Sequence, residues 1–168
     1  MTTRHLVDPE LVAILDSFPA LTLTSETLPL IRTTLKEAMT RHHASANMLD
    51  FSPISVSERF IPGPEGAPDV RILLYLPITA QTPPPALLWM HGSGYVLGSA
   101  DQDDLAVKSI ASTVVCAVAS VDYRLAPETP HPGPVEDCYA ALRWLHSHAE
   151  YSAAEKRFGI HTAEAKRG

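Results

Sequence analysis

The sequence predicts an α/β fold, a β-sheet layered with helices, and three features of its 168 residues carry that prediction. "ALLWM" (86–90) is uninterrupted apolar, the composition of a strand buried on both faces of a parallel sheet. "VVCAVASVDY" (114–123) reads as a second buried strand, and a helix-like stretch lies between the two. Ahead of them, 54–61 and 70–77 alternate apolar and polar positions around the turn-rich "PGPEGAPD", the pattern of a β-hairpin. Hairpin, strand, helix, strand, helix is the opening order of a layered sheet.

The first 47 residues read as helical. Asp8 is placed to cap a helix with Pro9 at its first position, and Leu11, Val12, Ile14 and Leu15 form its apolar side. "FP" at 18–19 ends it. A second helix begins near Thr27, tolerates Pro29 in its first turn, and repeats Leu28, Ile31, Leu35 and Met39 at helical spacing. These helices are expected to form a cap segment over residues 1–47, distinct from a core over 48–168. In the hairpin, Ile54, Val56 and Phe60 alternate along one strand, and Val70, Ile72, Leu74 and Leu76 share a face of the other. "DQDDLAVKSIAST" carries acids in its first turn, which suits the positive end of a helix dipole. "PVEDCYAALRWLHSH" (134–148) is amphipathic, with Val135, Cys138, Tyr139, Leu142 and Leu145 expected inward. The remainder, "EYSAAEKRFGIHTAEAKRG", is polar and helix-prone, and fails as the next buried strand.

Composition narrows the function. The net charge of −6 and the absence of a Lys/Arg cluster argue against a nucleic-acid partner. The apolar runs are too short to span a membrane, and the N-terminus has no apolar leader pattern, so a cytoplasmic location is expected. Cys116 and Cys138 have no neighbouring Cys/His ligands, so they read as buried reduced thiols with no metal and no cofactor expected.

Two motifs carry chemistry. His91, Gly92, Ser93 and Gly94 stand at the carboxyl end of a buried strand, where open α/β sheets bind ligands. Small residues there let the backbone come close to a substrate, and successive N–H groups can face a developing negative oxygen. His91 reads as a loop-shaping histidine in preference to a general base. Ser93 is not read as a nucleophile, because a nucleophilic serine sits on a G-x-S-x-G elbow and His91 occupies the place of its first glycine. The second motif is Asp122, Tyr123, Arg124 and onward to Glu128; its charged residues are read as a structural ion pair or a hydrogen-bonded loop. Asp137, early in the last helix, is read as helix-start electrostatics.

Taken jointly, "HGSGYVLGS" and "SVDYRLAPETPHPGPVEDCYAALRWL" closely resemble the hormone-sensitive-lipase-like carboxylesterases of the α/β-hydrolase fold (the fold-3 group). His91, Gly92 and Gly94 match that family's H-G-G-G. Asp122 to Glu128 match its D-Y-R-L-A-P-E, and Pro132, Glu136, Asp137, Ala141, Leu142 and Trp144 match the stretch that follows. The likeness covers about residues 51–160. It implies ester hydrolysis by acyl transfer on a small-molecule carboxylic ester, with Ser93 and Gly94 as backbone donors of an oxyanion hole. Ser93 stands where the family has glycine; it serves unchanged if its φ is negative and is strained if φ is positive. The family's serine elbow, and the aspartate and histidine that complete its triad, follow the next strand. No G-x-S-x-G occurs in this sequence, so none of the triad is present.

The resemblance therefore implies a partial α/β-hydrolase sheet, an incomplete core lacking the elbow strand, and a chain inactive by itself. It also places "ALLWM" beside the missing strand, leaving an apolar edge open to self-association. The alternatives are a non-catalytic module that binds a small ligand or a partner, and the N-terminal half of a split hydrolase.

Overall fold

The computed structural model describes residues 3–17, 22–45, 51, 53–78, 80 and 84–148. The ending of the first helix at 18–19 and the polar stretch from 150 onward lie outside them. Among the described residues a short 3-10 turn (Arg4–Leu6) precedes four α-helices and four strands: α1 (Pro9–Ser17), α2 (Leu28–Ser45), β1 (Ile54–Ile61), β2 (Val70–Pro77), β3 (Ala86–Met90), α3 (Asp104–Val114), β4 (Ala117–Asp122) and α4 (Gly133–His148). No described helix is long and apolar enough to cross a membrane.

The strands form one mixed sheet in the order β1-β2-β4-β3. The hairpin pairs antiparallel from Ile54 opposite Pro77 to Ile61 opposite Val70. β4 runs antiparallel to β2 and parallel to β3, with Leu88 opposite Ala119. The sheet is a sandwich filling between two helices. Val70, Ile72, Leu74 and Leu76 share one face with Ala117, Ala119 and Val121, against Cys138, Ala141 and Leu145 of α4. Leu73, Tyr75 and Val118 point to the other face, against Val107 and Ala111 of α3. This two-residue alternation lets β2 and β4 be apolar on both sides, and it accounts for the buried run at 72–77.

Capping chemistry at α1 is as the sequence predicts: the N–H of Glu10 donates to Asp8 Oδ1 at 2.9 Å. In α2, Leu28 and Ile31 are buried, so the predicted stripe holds at its N-terminal end. Cys116 and Cys138 are both buried free thiols.

β1 forms over Ile54–Ile61 as the alternation predicts; as an edge strand it has Ile54 and Ile61 buried and Val56 and Phe60 exposed. Three expectations are corrected. β3 is not buried on both faces: it is the opposite edge strand among the described residues, and Leu87 and Met90 are exposed. In α4, Val135, Tyr139 and Leu142 are exposed, and Pro134, Asp137, Cys138, Ala141 and Leu145 turn inward. The helix is rotated because a buried ion pair at Asp137 fixes its azimuth, as described below. Finally, β4 begins at Ala117 and not at 114. α3 runs through Val114, and Val115 ends it in a left-handed conformation (φ 55°) with its N–H returning to Ala111 O.

Candidate active site

The loop from His91 to Asp103 leaves the carboxyl end of β3 and returns to the start of α3. Side chains from β2, β4 and the turn after β4 hold it at three places. At its start, the His91 ring is buried and stacks on Tyr123, with centroids 4.1 Å apart and planes inclined by 10°. The Tyr123 hydroxyl donates to His91 O at 2.6 Å. Burial pushes the Tyr123 phenol up to about 12, which keeps it a donor across the physiological range. His91 Nδ1 lies 2.9 Å from Gly92 O, and only a protonated nitrogen makes that contact, so the proton is assigned to Nδ1. His91 is thereby a buried brace for the loop.

In the middle, the loop turns on a run of positive φ: Ser93 at 91°, Gly94 at 65° and Tyr95 at 64°. Ser93 therefore sits in backbone that glycine adopts freely and serine does not, the strained case of the two the sequence leaves open. The carbonyl of Ser93 accepts from the N–H of Val96 at 3.4 Å and of Leu97 at 3.3 Å. The N–H groups of Ser93 and Gly94 donate to no acceptor among the described residues, and both residues are exposed. Ser93 Oγ contacts Gln102 Oε1 at 3.4 Å, and no base is hydrogen-bonded to it among the described residues.

At its far end, Gly98 (φ 92°) passes so close to the His91 ring that a Cβ would lie 2.6 Å from Nδ1, so only glycine fits. Asp122 then anchors the loop to β4. Its Oδ1 accepts from the N–H of Ala100 at 2.8 Å and its Oδ2 accepts from Arg71 Nη1 at 3.0 Å. Trp89 Nε1 donates to Asp103 Oδ2 at 2.9 Å, and the Tyr75 hydroxyl donates to Asp104 Oδ1 at 3.0 Å.

The turn after β4 is fixed by a different pair. Arg124 donates from Nε to Asp137 Oδ2 at 2.8 Å and from Nη2 to Oδ1 at 2.7 Å, while its backbone N–H reaches Oδ2 at 2.9 Å. Asp137 is fully buried. Its role is not helix-start electrostatics but the bidentate holding of Arg124. Glu128 does not pair with Arg124. It accepts from Arg32 of α2, with Nη1 at 2.7 Å from Oε1 and Nη2 at 3.1 Å from Oε2. That contact draws the Glu128 carboxyl below its ordinary value. Beside the loop, a cavity of about 680 Å³ lies between α2 and the sheet, lined by Leu35, Met39, Arg71, Gly98, Ser99 and Asp122 among others. Among the described residues no group of three His, Cys, Asp or Glu side chains is arranged for a metal ion.

A partial mixed sheet between helices, with this loop at the end of a parallel strand, is the geometry for which residues 87–163 also match a known family model, described as alpha/beta hydrolase fold. The chain has a partial α/β-hydrolase fold. The chain is 32% identical over 146 residues to the carboxylesterase NlhH of Mycobacterium tuberculosis, covering 87% of this chain and 44% of that one. It is 33% identical to the esterase LipI of the same organism, covering 90% and 45%. Among solved structures, a bacterial heroin esterase superposes with a TM-score of 0.74 at 42% identity, covering 89% of this chain and 45% of that one. The esterase LipW from Mycobacterium marinum superposes with a TM-score of 0.69 at 30% identity. The chain thus spans less than half the length of these relatives.

The structure gathers His91, Gly92, Ser93, Gly94, Asp122 and Tyr123 around one loop, while Arg124 and Glu128 hold the adjoining turn from opposite sides. Sequence reasoning missed Arg32, Arg71 and Trp89. Each stands alone among residues that its own segment explains, and each finds its partner elsewhere in the chain. No local pattern marks such a residue.

Proposed function

We propose that this chain is the oxyanion-binding part of a carboxylic-ester hydrolase acting by acyl transfer on a small-molecule ester. The observation that carries the reading is the pair of N–H groups at Ser93 and Gly94, free of acceptors among the described residues, at the carboxyl end of a parallel strand. Donors preset at that position stabilise the oxygen of a tetrahedral intermediate without reorganising during the reaction. In this reading His91 and Tyr123 shape the loop, Ser93 acts through its backbone, and the esterase relatives supply the substrate class.

Hydrolysis by this route also needs a nucleophilic serine activated by a histidine that a carboxylate orients. No G-x-S-x-G elbow occurs in the 168 residues, so the reading assigns no turnover to this chain by itself. With a short-chain p-nitrophenyl ester, the purified chain is expected to match the buffer rate. Turnover abolished by Ser93→Ala would overturn the assignment of Ser93 as a backbone donor. The esterase reading is tested separately, in the coding DNA downstream of these residues. A G-x-S-x-G elbow followed by late Asp and His codons supports it, and a clean absence sinks it.

The cavity beside the loop favours a second reading, a module that holds a small acyl ligand without chemistry. Calorimetry with a short-chain carboxylic acid on the monodisperse chain decides it: saturable heat supports binding, and no heat removes it.

A further inference from the structure

We infer that Arg32, on the N-terminal helix α2, is a positioning residue for the oxyanion loop, so that α2 holds the conformation of the loop it covers. This deepens the functional reading above and rests on it. The geometry is a single guanidinium shared among three acceptor residues in two segments, the loop and the turn after β4. Arg32 Nε donates to Val96 O at 3.0 Å, inside the loop. Its Nη2 donates to Ala126 O at 2.8 Å, and Nη1 and Nη2 reach the Glu128 carboxylate. The partners lie 64 to 96 residues away in sequence.

Both contacts lead back to the proposed donors. The Val96 carbonyl and the Leu97 N–H share one peptide plane, and that N–H donates to Ser93 O at 3.3 Å, so a hold on the Val96 carbonyl bears on the orientation of the Ser93–Gly94 peptide. On the other side, Ala126 N–H donates to Tyr95 O at 2.8 Å, so a hold on the Ala126 carbonyl bears on Tyr95. The span between these two fixed points is the run of positive φ at Ser93, Gly94 and Tyr95. Strained backbone of this kind persists only where surrounding contacts over-determine it. Arg32 supplies such contacts from outside the loop. A planar fork with five N–H donors can serve a carboxylate and two carbonyls at once, which an ammonium cannot. Glu128 is largely exposed, so its ion pair adds little to global stability, and the bonds to the two carbonyls define the role.

The test is amide NMR and hydrogen exchange on the 168-residue chain, with no ester present, so its outcome does not depend on whether the esterase reading stands. Arg32→Met is expected to shift the amide signals of Ser93 to Leu97 and of Ala126, and to speed exchange at the hydrogen-bonded amides of Val96, Leu97 and Ala126 by about tenfold or more. Core amides of Ile72 to Leu74 and Val118 to Ser120 should stay unmoved. Arg32→Lys, which keeps the charge, should restore only part of the wild-type pattern, and Glu128→Gln should disturb the loop less than Arg32→Met. Loop amides unmoved in Arg32→Met would overturn the inference. So would full rescue by Arg32→Lys, or a uniform rise in exchange across loop and core. If Arg32→Met does not fold, Arg32→Lys and Glu128→Gln still give the comparison: a loop response confined to Arg32→Lys supports the inference, and equal responses overturn it.

Discussion

Arg124 and Asp137 are joined by three hydrogen bonds, two from the guanidinium and one from the Arg124 backbone, onto a carboxylate with no solvent exposure. The pair ties the turn after β4 to the second turn of α4 and sets which side of that helix faces the sheet. Removing one partner of a buried pair leaves the other uncompensated. Asp137→Ala is expected to cost about 3 kcal/mol, the low end of that range because Arg124 keeps partial contact with water. Arg124→Lys, which loses the fork, should cost about 1–2 kcal/mol. Urea denaturation midpoints measure both; a loss under half a kcal/mol for Asp137→Ala would contradict the role assigned to the pair.

Ser93 stands at φ 91° in a loop whose neighbours also have positive φ. Ser93→Gly removes the steric cost of that backbone and should raise stability by about 1 kcal/mol, with the denaturant slope unchanged. A lower midpoint would mean that the contact of Ser93 Oγ with Gln102 outweighs the strain.

Arg71 collects Glu58, Asp101 and Asp122 at the end of the sheet nearest the loop. The hydrogen bond from Arg71 holds the Asp101 carboxyl below its usual 3.8. A carboxyl whose pKa is depressed by folding contributes stability above its unfolded value and loses it as pH falls through the folded value. Melting temperature should therefore be flat above about pH 5 and fall steeply below pH 4. Because Asp101 is mostly exposed, the slope should shrink in high salt. Arg71→Met should lower stability at neutral pH and flatten the acid limb. An acid limb unchanged in that variant would remove Arg71 as its source.

Burial, with Asp137 adding to it, pushes the Cys138 thiol up to about 11 from 9.0. The native chain should resist Ellman's reagent at pH 8 and react fully only after unfolding. The sign for stability is opposite to that of Asp101: this contribution is complete below pH 9 and is lost as pH rises towards about 11. Rapid native labelling of Cys138→Ser, where Cys116 is the remaining thiol, would place the reactivity at Cys116.

β3 pairs only with β4 among the described residues, and it carries no charge and no proline along its five residues. β1, the other edge, carries Glu58 and Arg59. Edges without charges recruit further strands. Sedimentation of the 168-residue chain should show concentration-dependent association that Leu87→Lys suppresses. Association equal in the two proteins would place the contact elsewhere.

The hairpin at 54–61 and 70–77, the cap at Asp8, the strand–helix–strand order and the glycine loop were legible because each is written in neighbouring residues. Alternation, turn chemistry and capping act over a few positions, and the motif likeness to esterases is a pattern of consecutive residues. Four things were decided only by the tertiary structure. The buried side of α4 follows the Arg124–Asp137 pair and overrides the apolar Val135, Tyr139 and Leu142. Whether β3 is covered depends on which strands pair beside it, not on its own composition. The φ of Ser93 is imposed by bonds that meet at the loop from β4 and from the turn after it. Arg32 has no local sign at all, because the carbonyls and carboxylate it holds come together only when α2 folds over segments 64 to 96 residues away. Local pattern reports the energy a segment gains from its own neighbours; contacts between distant segments exist only once the chain has closed the loops that separate them.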